Sequence, residues 1–298
     1  MSNQIPSLQV GDKVAIVSSA RKINKEELHF AERKIESWGL KIVFGENLFQ
    51  EENQFAGSAK QRTQDLQVAL DNKNIKAILF ARGGYGSVQI VNYIDWTNFQ
   101  KKPKWLVGFS DITVFHSHIQ QIFGIATLHA PMPITFTKNT DSSLNNLKKM
   151  LFGDPVTYQI ASHPYNKYGK AEGKIIGGNL SILYSLLGSE SQINTYGKIL
   201  FIEDLDEYLY HLDRMMYALK RAGMLEDLAG LIIGGMSDMK DNTIPFGKTA
   251  KEIIADAVSE YKFPVAFGFP SGHIDDNNPI VFGKKIRLEV NEESTIIA

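Results

Sequence analysis

The sequence contains no cysteine, which excludes disulfides, thiolate metal sites and a cysteine nucleophile together. It has no excess charge of either sign. Thirty-two Lys and Arg against 33 Asp and Glu give a formal charge of −1, without the basic surplus of a general nucleic-acid or anionic-membrane binder. No apolar run approaches the ~18 residues of a membrane span. The first ten residues carry neither Lys nor Arg nor a long apolar stretch, so no export signal is read there, and a soluble, cytoplasmic protein with a small-molecule or peptide partner is expected. No metal or cofactor is expected: a calcium-loop pattern is missing and no pair of the seven histidines is spaced as a chelate.

The 298 residues suffice for two domains. In the first half, short apolar runs alternate with helical patterns. Strands are expected at Val14–Ser18, Ile42–Phe44, Ala77–Phe80, Trp105–Val107 and Ala126–His129. Helices are expected through Leu28–Trp38, from Ser58, over Ser87–Ile94 and over Ile112–Phe123. Asn24 with Glu27, and Ser58 with Gln61, have capping-box spacing. Strands separated by helices of this length imply parallel crossovers, hence a flavodoxin- or Rossmann-like domain over residues 1–153. A polar, Pro-containing stretch suggests a linker over 154–172. Residues 173–298 read as a smaller mixed α+β domain, with Ile280–Val290 as paired strands.

Five short motifs could carry chemistry. Gly108-Phe109-Ser110-Asp111 falls where a strand turns into a helix, a position that lifts the Ser110 hydroxyl above the sheet edge; a helix cap is the plainer role for the same serine. Arg82-Gly83-Gly84-Tyr85-Gly86 follows another strand at the same edge, where glycines let backbone approach a ligand. Neither a dinucleotide fingerprint nor a phosphate loop is complete there. Gly177-Gly178-Asn179-Leu180-Ser181 opens a helix, with Asn179 as a cap or as part of a carboxylate-binding helix start. Of the acids in Glu203-Asp204-Leu205-Asp206-Glu207, only Glu203 is close enough to strand register to orient a histidine rigidly; a solvated acidic loop is the plainer reading of the rest. His273 lies in Phe269-Pro270-Ser271-Gly272-His273, a loop between strands. His116 and His118 read as ordinary helix residues.

Taken in order, Ala81–Gly86, Gly108–Asp111, Gly177–Ser181, Ile199–Glu207 followed by His211–Arg214, and Gly268–His273 resemble the LD-carboxypeptidase family of serine peptidases, over about Gly11 to Gly283. The resemblance implies Ser110 as nucleophile, His273 as general base and acid, and Glu203 as the carboxylate orienting it. It implies an oxyanion hole from the backbone N–H groups of Asp111 and Gly84, and a triad assembled across the domain junction. The implied substrate is a murein tetrapeptide with a free C-terminal D-amino acid, met during recycling of cell-wall fragments, and the implied assembly is a homodimer. Gly83 and Tyr85 are expected to line the substrate, and Arg82 or the Asn179 helix start to read its carboxylate. Two alternatives stay open: an aminoacyl- or peptidyl-nucleotide amide, as cleaved by the microcin C immunity peptidases of the same family, and a non-catalytic small-ligand binder.

Overall fold

The computed structural model describes residues 5–298. The chain runs β1 (Lys13–Val17), α1 (His29–Ser37), β2 (Lys41–Phe44), α2 (Ala59–Asp71), β3 (Ile75–Phe80), α3 (Thr97–Lys101), β4 (Trp105–Gly108), α4 (Thr113–Ile122), β5 (Thr127–His129) and α5 (Asp141–Phe152). It continues through β6 (Tyr158–Ala161), β7 (Gly169–Asn179), α6 (Leu180–Ser185), β8 (Ile199–Leu205), α7 (Leu209–Arg221), β9 (Gly230–Ser237), α8 (Ala250–Ala257), β10 (Val265–Phe267), β11 (Ile280–Phe282), β12 (Lys285–Val290) and β13 (Ser294–Ile297). The first sheet is ordered β11-β5-β4-β3-β1-β2 and is parallel except for β11. The second is ordered β10-β9-β8-β7-β12-β13-β6, parallel from β10 to β7 and antiparallel beyond. The expected α/β class, a parallel-sheet first domain and a mixed second one, is what the chain adopts.

Local signals explain most of these elements. β1, β3 and β4 are buried along nearly their whole length, as strands covered by helices on both faces must be. Ser58 and Gln61 close a reciprocal capping box on α2, and Asn24 and Glu27 do so on the short turn before α1. Leu212, Met215, Met216 and Leu219 form one buried face of α7. One apolar core fills the first domain, and two lie on the faces of the second sheet.

Three expectations are corrected. Ser87–Ile94 is not a helix but two single 3-10 turns, Ser87–Gln89 and Val91–Tyr93, because side chains bind its backbone from outside: Asp111 accepts from the Ser87 N–H and Arg62 donates to the Gly86 carbonyl. The 154–172 stretch is not irregular throughout, since β6 pairs with β13 and β7 begins at Gly169. Ile280–Val290 is not one pair of strands. β11 adds to the first sheet beside β5, while β12 pairs with β7 and β13 in the second. Gly283, at φ +86°, turns the chain between them and donates its N–H to the Ile175 carbonyl of β7 at 2.7 Å.

β11 therefore stitches the two sheets together through Phe282. Its fully buried ring lies 5.4 Å from His129 of β5 and 6.2 Å from Phe201 of β8, centroid to centroid. Phe282→Ala is expected to cost about 3–5 kcal/mol, read as a lowered urea midpoint; a loss under about 1 kcal/mol would show that β11 is not what holds the sheets together.

Candidate active site

β4 ends in Gly108, where a Cβ would lie 2.8 Å from the Ile112 side chain, so only glycine permits the tight turn that follows. Ser110 then adopts φ +63°, a left-handed conformation costing a non-glycine residue roughly 1–3 kcal/mol and found where a site fixes it. The chain passes through one 3-10 turn into α4. This is the strand-to-helix elbow expected from the sequence, and Ser110 does not cap: no side-chain hydrogen bond of that kind is made.

The glycine loop after β3 lies against this elbow. A Cβ on Gly83 would sit 3.0 Å from Ser110 Cβ, 3.1 Å from its Oγ and 3.4 Å from the Asp111 backbone nitrogen. The missing side chain thus leaves a gap bounded by the hydroxyl and an N–H. Asp111 points the other way, almost fully buried, and its Oδ2 accepts from the Ser87 N–H at 2.8 Å, tying the loop to the elbow. Burial raises its carboxyl above the usual range, against the hydrogen bonds from Ser87 and the nearby Arg62 charge. Tyr85 is 47% exposed beside Phe55, at the open side of the loop.

Glu203 and His273 come from the second domain. β8 is a run of buried apolar residues up to Glu203, and its register with β9 shifts between Ile202 and Asp204, a bulge of the kind that re-aims a side chain. Glu203 is fully buried. Its Oε2 accepts from His273 Nδ1 at 2.7 Å and from the His273 backbone N–H at 3.2 Å. Gly272, at φ +106°, allows this approach, since its Cβ would lie 2.6 Å from the same oxygen. The loop is pinned on both sides of the histidine: Gly272 N–H donates to Asn277 Oδ1 at 2.8 Å, and Ser237 Oγ to the His273 carbonyl at 2.6 Å. The His273 ring packs on Phe109, next to Ser110, at 4.7 Å between centroids. With Nδ1 committed to Glu203, Nε2 is left for the serine side. Burial alone would lower the His273 pKa, but the Glu203 charge and hydrogen bond outweigh it and hold the imidazole above its ordinary value.

At Asp204 the structure departs from the sequence reading. Asp204 is not part of a solvated loop: it is buried, and accepts from Asn179 Nδ2 at 2.8 Å, the Ser181 N–H at 2.8 Å and the Leu205 N–H at 2.9 Å. Burial, with Glu203 adjacent, pushes its pKa up to about 7. The Asn179 helix start does not await a substrate carboxylate, because Asp204 already occupies it and Asn179 Oδ1 caps Ile182. Asn179 instead docks the second domain on the elbow, its N–H donating to Thr113 Oγ1 at 3.0 Å. Arg82 Nη1 donates to the Lys22 carbonyl at 3.0 Å, and no other bond of its guanidinium is made among the described residues.

His116 and His129 lie beneath the elbow. His116 Nε2 is 2.8 Å from the Gly108 carbonyl, and burial lowers its pKa to about 4. His129, enclosed by Phe109, Phe201 and Phe282, is held well below the ordinary histidine range by burial. Both stay neutral where His273 titrates. No group of three metal-ligating side chains occurs among the described residues.

One domain thus carries a strained serine, and the other an imidazole bonded to a buried carboxylate and packed on Phe109, the residue before that serine; residues of these types are the equipment of a serine hydrolase. Comparison with known proteins agrees. Residues 14–130 match the LD-carboxypeptidase N-terminal domain and residues 172–288 the LD-carboxypeptidase C-terminal domain. The chain is 33% identical to the probable murein peptide carboxypeptidase of Bacillus subtilis, over 98% of its length and 93% of the relative's. It is 27% identical to the murein tetrapeptide carboxypeptidase of Pseudomonas aeruginosa, over 95% and 94%. The chain belongs to the LD-carboxypeptidase family, and with it to the serine carboxypeptidases. In fold it is similar to the muramoyltetrapeptide carboxypeptidase of Oxalobacter formigenes, at a TM-score of 0.88 and 24% identity over 96% of this chain and 97% of that one. It is similar also to the microcin immunity protein MccF in complex with glutamyl sulfamoyl guanosine, at 0.86 and 22% over 98% and 97%.

A base must be neutral to accept a proton, so with His273 in the expected role of base its raised pKa predicts that kcat/KM falls as pH drops through a value above the ordinary ~6.5 of histidine. The ion pair has the opposite sign: its contribution to stability is complete below the unfolded pKa and is lost as pH rises through the folded one. Glu203→Gln should move the activity limb to lower pH and reduce kcat by about 10²–10⁴-fold, as a pH–rate profile would show. A limb that stays in place would mean that Glu203 does not set the histidine.

Proposed function

We propose that this protein is a serine L,D-carboxypeptidase that removes the terminal D-alanine of murein tetrapeptide, with Ser110 as nucleophile, His273 as base and acid, and Glu203 as its orienting carboxylate. The observation that carries the reading is the Glu203 Oε2 to His273 Nδ1 bond of 2.7 Å, which leaves Nε2 to serve the left-handed Ser110. The names of the curated relatives supply the substrate class. A non-catalytic binder has no use for a strained serine and a carboxylate-oriented base.

His273 takes the Ser110 proton as Oγ attacks the carbonyl carbon of the D-alanine peptide bond, and Glu203 balances the imidazolium. The oxyanion forms in the gap left by Gly83, where the Asp111 N–H is one donor and the Gly84 N–H the second. Collapse breaks the C–N bond as His273 gives its proton to the leaving amine. Water, deprotonated by the same histidine, then hydrolyses the acyl-enzyme and restores Ser110. Gly83 thus serves by lacking a side chain, and exposed Tyr85 borders the path of the substrate. Cytoplasmic recycling of wall fragments by a homodimer completes the proposal; no helix among the described residues is long and apolar enough to cross a membrane.

Mass spectrometry of the tetrapeptide after incubation with purified protein is expected to show loss of one D-alanine, unaffected by chelator, and slower by at least about 10⁴-fold with Ser110→Ala. Cleavage of a glutamyl sulfamoyl nucleotide with the tetrapeptide untouched would overturn the murein assignment in favour of the second substrate class.

A further inference from the structure

The strand order of the first sheet reverses between β1 and β3: β2 lies beyond β1 on one side, and β3 and β4 follow on the other. In an open parallel sheet such a reversal leaves a crevice at the carboxyl ends of the two strands, where ligands bind. The walls here are the segment after β1, Ser18 to Lys22, and the glycine loop after β3. The Ser110 elbow, on β4, is the next loop along.

The backbone of the first wall is fixed from several sides. Ser18 Oγ donates to the Arg21 carbonyl at 2.8 Å, Arg62 Nη1 to the Ser19 carbonyl at 2.6 Å and Arg82 Nη1 to the Lys22 carbonyl at 3.0 Å. The Ser19 and Ser87 hydroxyls bond across the crevice at 2.8 Å. The Arg21 side chain, by contrast, is exposed and makes no hydrogen bond or ion pair among the described residues; of the neighbouring acids, Glu51 is engaged by Lys22 at 2.6 Å. It lies across the glycine loop: a Cβ on Gly84 would meet Arg21 Cδ at 2.6 Å, Cγ at 2.8 Å and Nε at 3.0 Å. The residue before it, Gly83, faces Ser110 Oγ. Two consecutive glycines thus border the two groups, Gly83 the Ser110 hydroxyl and Gly84 an Arg21 side chain that has no partner among the described residues.

An exopeptidase must recognise a carboxylate about one Cα–Cα spacing, ~3.8 Å, beyond the bond it cuts. A planar guanidinium binds such a group through two parallel hydrogen bonds. We propose that Arg21 reads the C-terminal carboxylate of the substrate, and that Arg82, named for this task from the sequence, positions the Arg21 segment through the Lys22 carbonyl. The assignment rests on the carboxypeptidase reading above.

The test compares kcat/KM on the free tetrapeptide and on its C-terminal amide, for wild type, Arg21→Gln, Arg21→Lys and Arg82→Lys. Wild type should prefer the free acid by about 100-fold or more, the scale of a charge-assisted bidentate contact. Arg21→Gln should lose most of that preference by falling on the acid and not on the amide, with Arg21→Lys between; a loss of packing would depress both substrates alike. Arg82→Lys should lower both rates together. Full preference retained in Arg21→Gln would overturn the assignment, and its loss in Arg82→Lys alone would return the role to Arg82. A wild type that cuts neither peptide would instead remove the carboxypeptidase reading, and the Arg21 assignment with it.

Discussion

A carboxylate with no exposed surface, directly after four apolar residues of one strand, is the constraint around which this site is built. Glu203 follows Ile199, Leu200, Phe201 and Ile202, all fully buried. An ionised group there is tolerated only if it is paired and hydrogen-bonded. Both donors to its Oε2 belong to one residue, the ring and backbone N–H of His273. The ring and backbone of a single residue thus hold Oε2 and fix the position of the imidazole, while Oε1 is buried without a partner among the described residues. Gly272, the bulge in β8 and the pinned loop of Asn277 and Ser237 all serve this contact.

The same logic holds on the opposing domain. Asp111 is buried to hold the glycine loop at the elbow, and the loop in turn keeps the gap beside Ser110 open. The junction is closed from three directions: Asn179 donating to Thr113, Phe109 against His273, and β11 adding a strand from the far end of the chain to the first sheet. Buried His116 and His129, both held below the ordinary histidine range, fill the space beneath. The proposed hydrolytic site is split between domains and needs such stiffness, because small displacements of either half would separate nucleophile from base.

Much of this was legible in the sequence, for identifiable reasons. The parallel sheet announced itself through buried strands alternating with capped helices. The strand-to-helix turn at Ser110 could be read from its local signature, and Glu203 from its place after an apolar run, although β8 continues through Asp204 and Leu205; the roles expected of both came from the family resemblance. What escaped depends on contacts between distant segments. Asp204 looked solvated because nothing local reveals that Asn179, Ser181 and the β8 backbone surround it. Ser87–Ile94 has helical spacing that Asp111 and Arg62 override from outside. The pairing of β11 with β5 joins residues some 150 positions apart, and no hairpin signal marks it. Arg21 lies in no recognisable motif; only the stacking of the β1 and β3 loops brings it over Gly84.

The central claim is that Ser110 is activated by a histidine from the other domain. Its most direct test is covalent: wild type, His273→Ala and Ser110→Ala are exposed to a fluorophosphonate and digested, and the labelled peptide is identified by mass spectrometry. Rapid labelling of Ser110 in wild type, abolished in a folded His273→Ala protein, is the predicted result. Labelling at another serine, or equal labelling of Ser110 without His273, would contradict it.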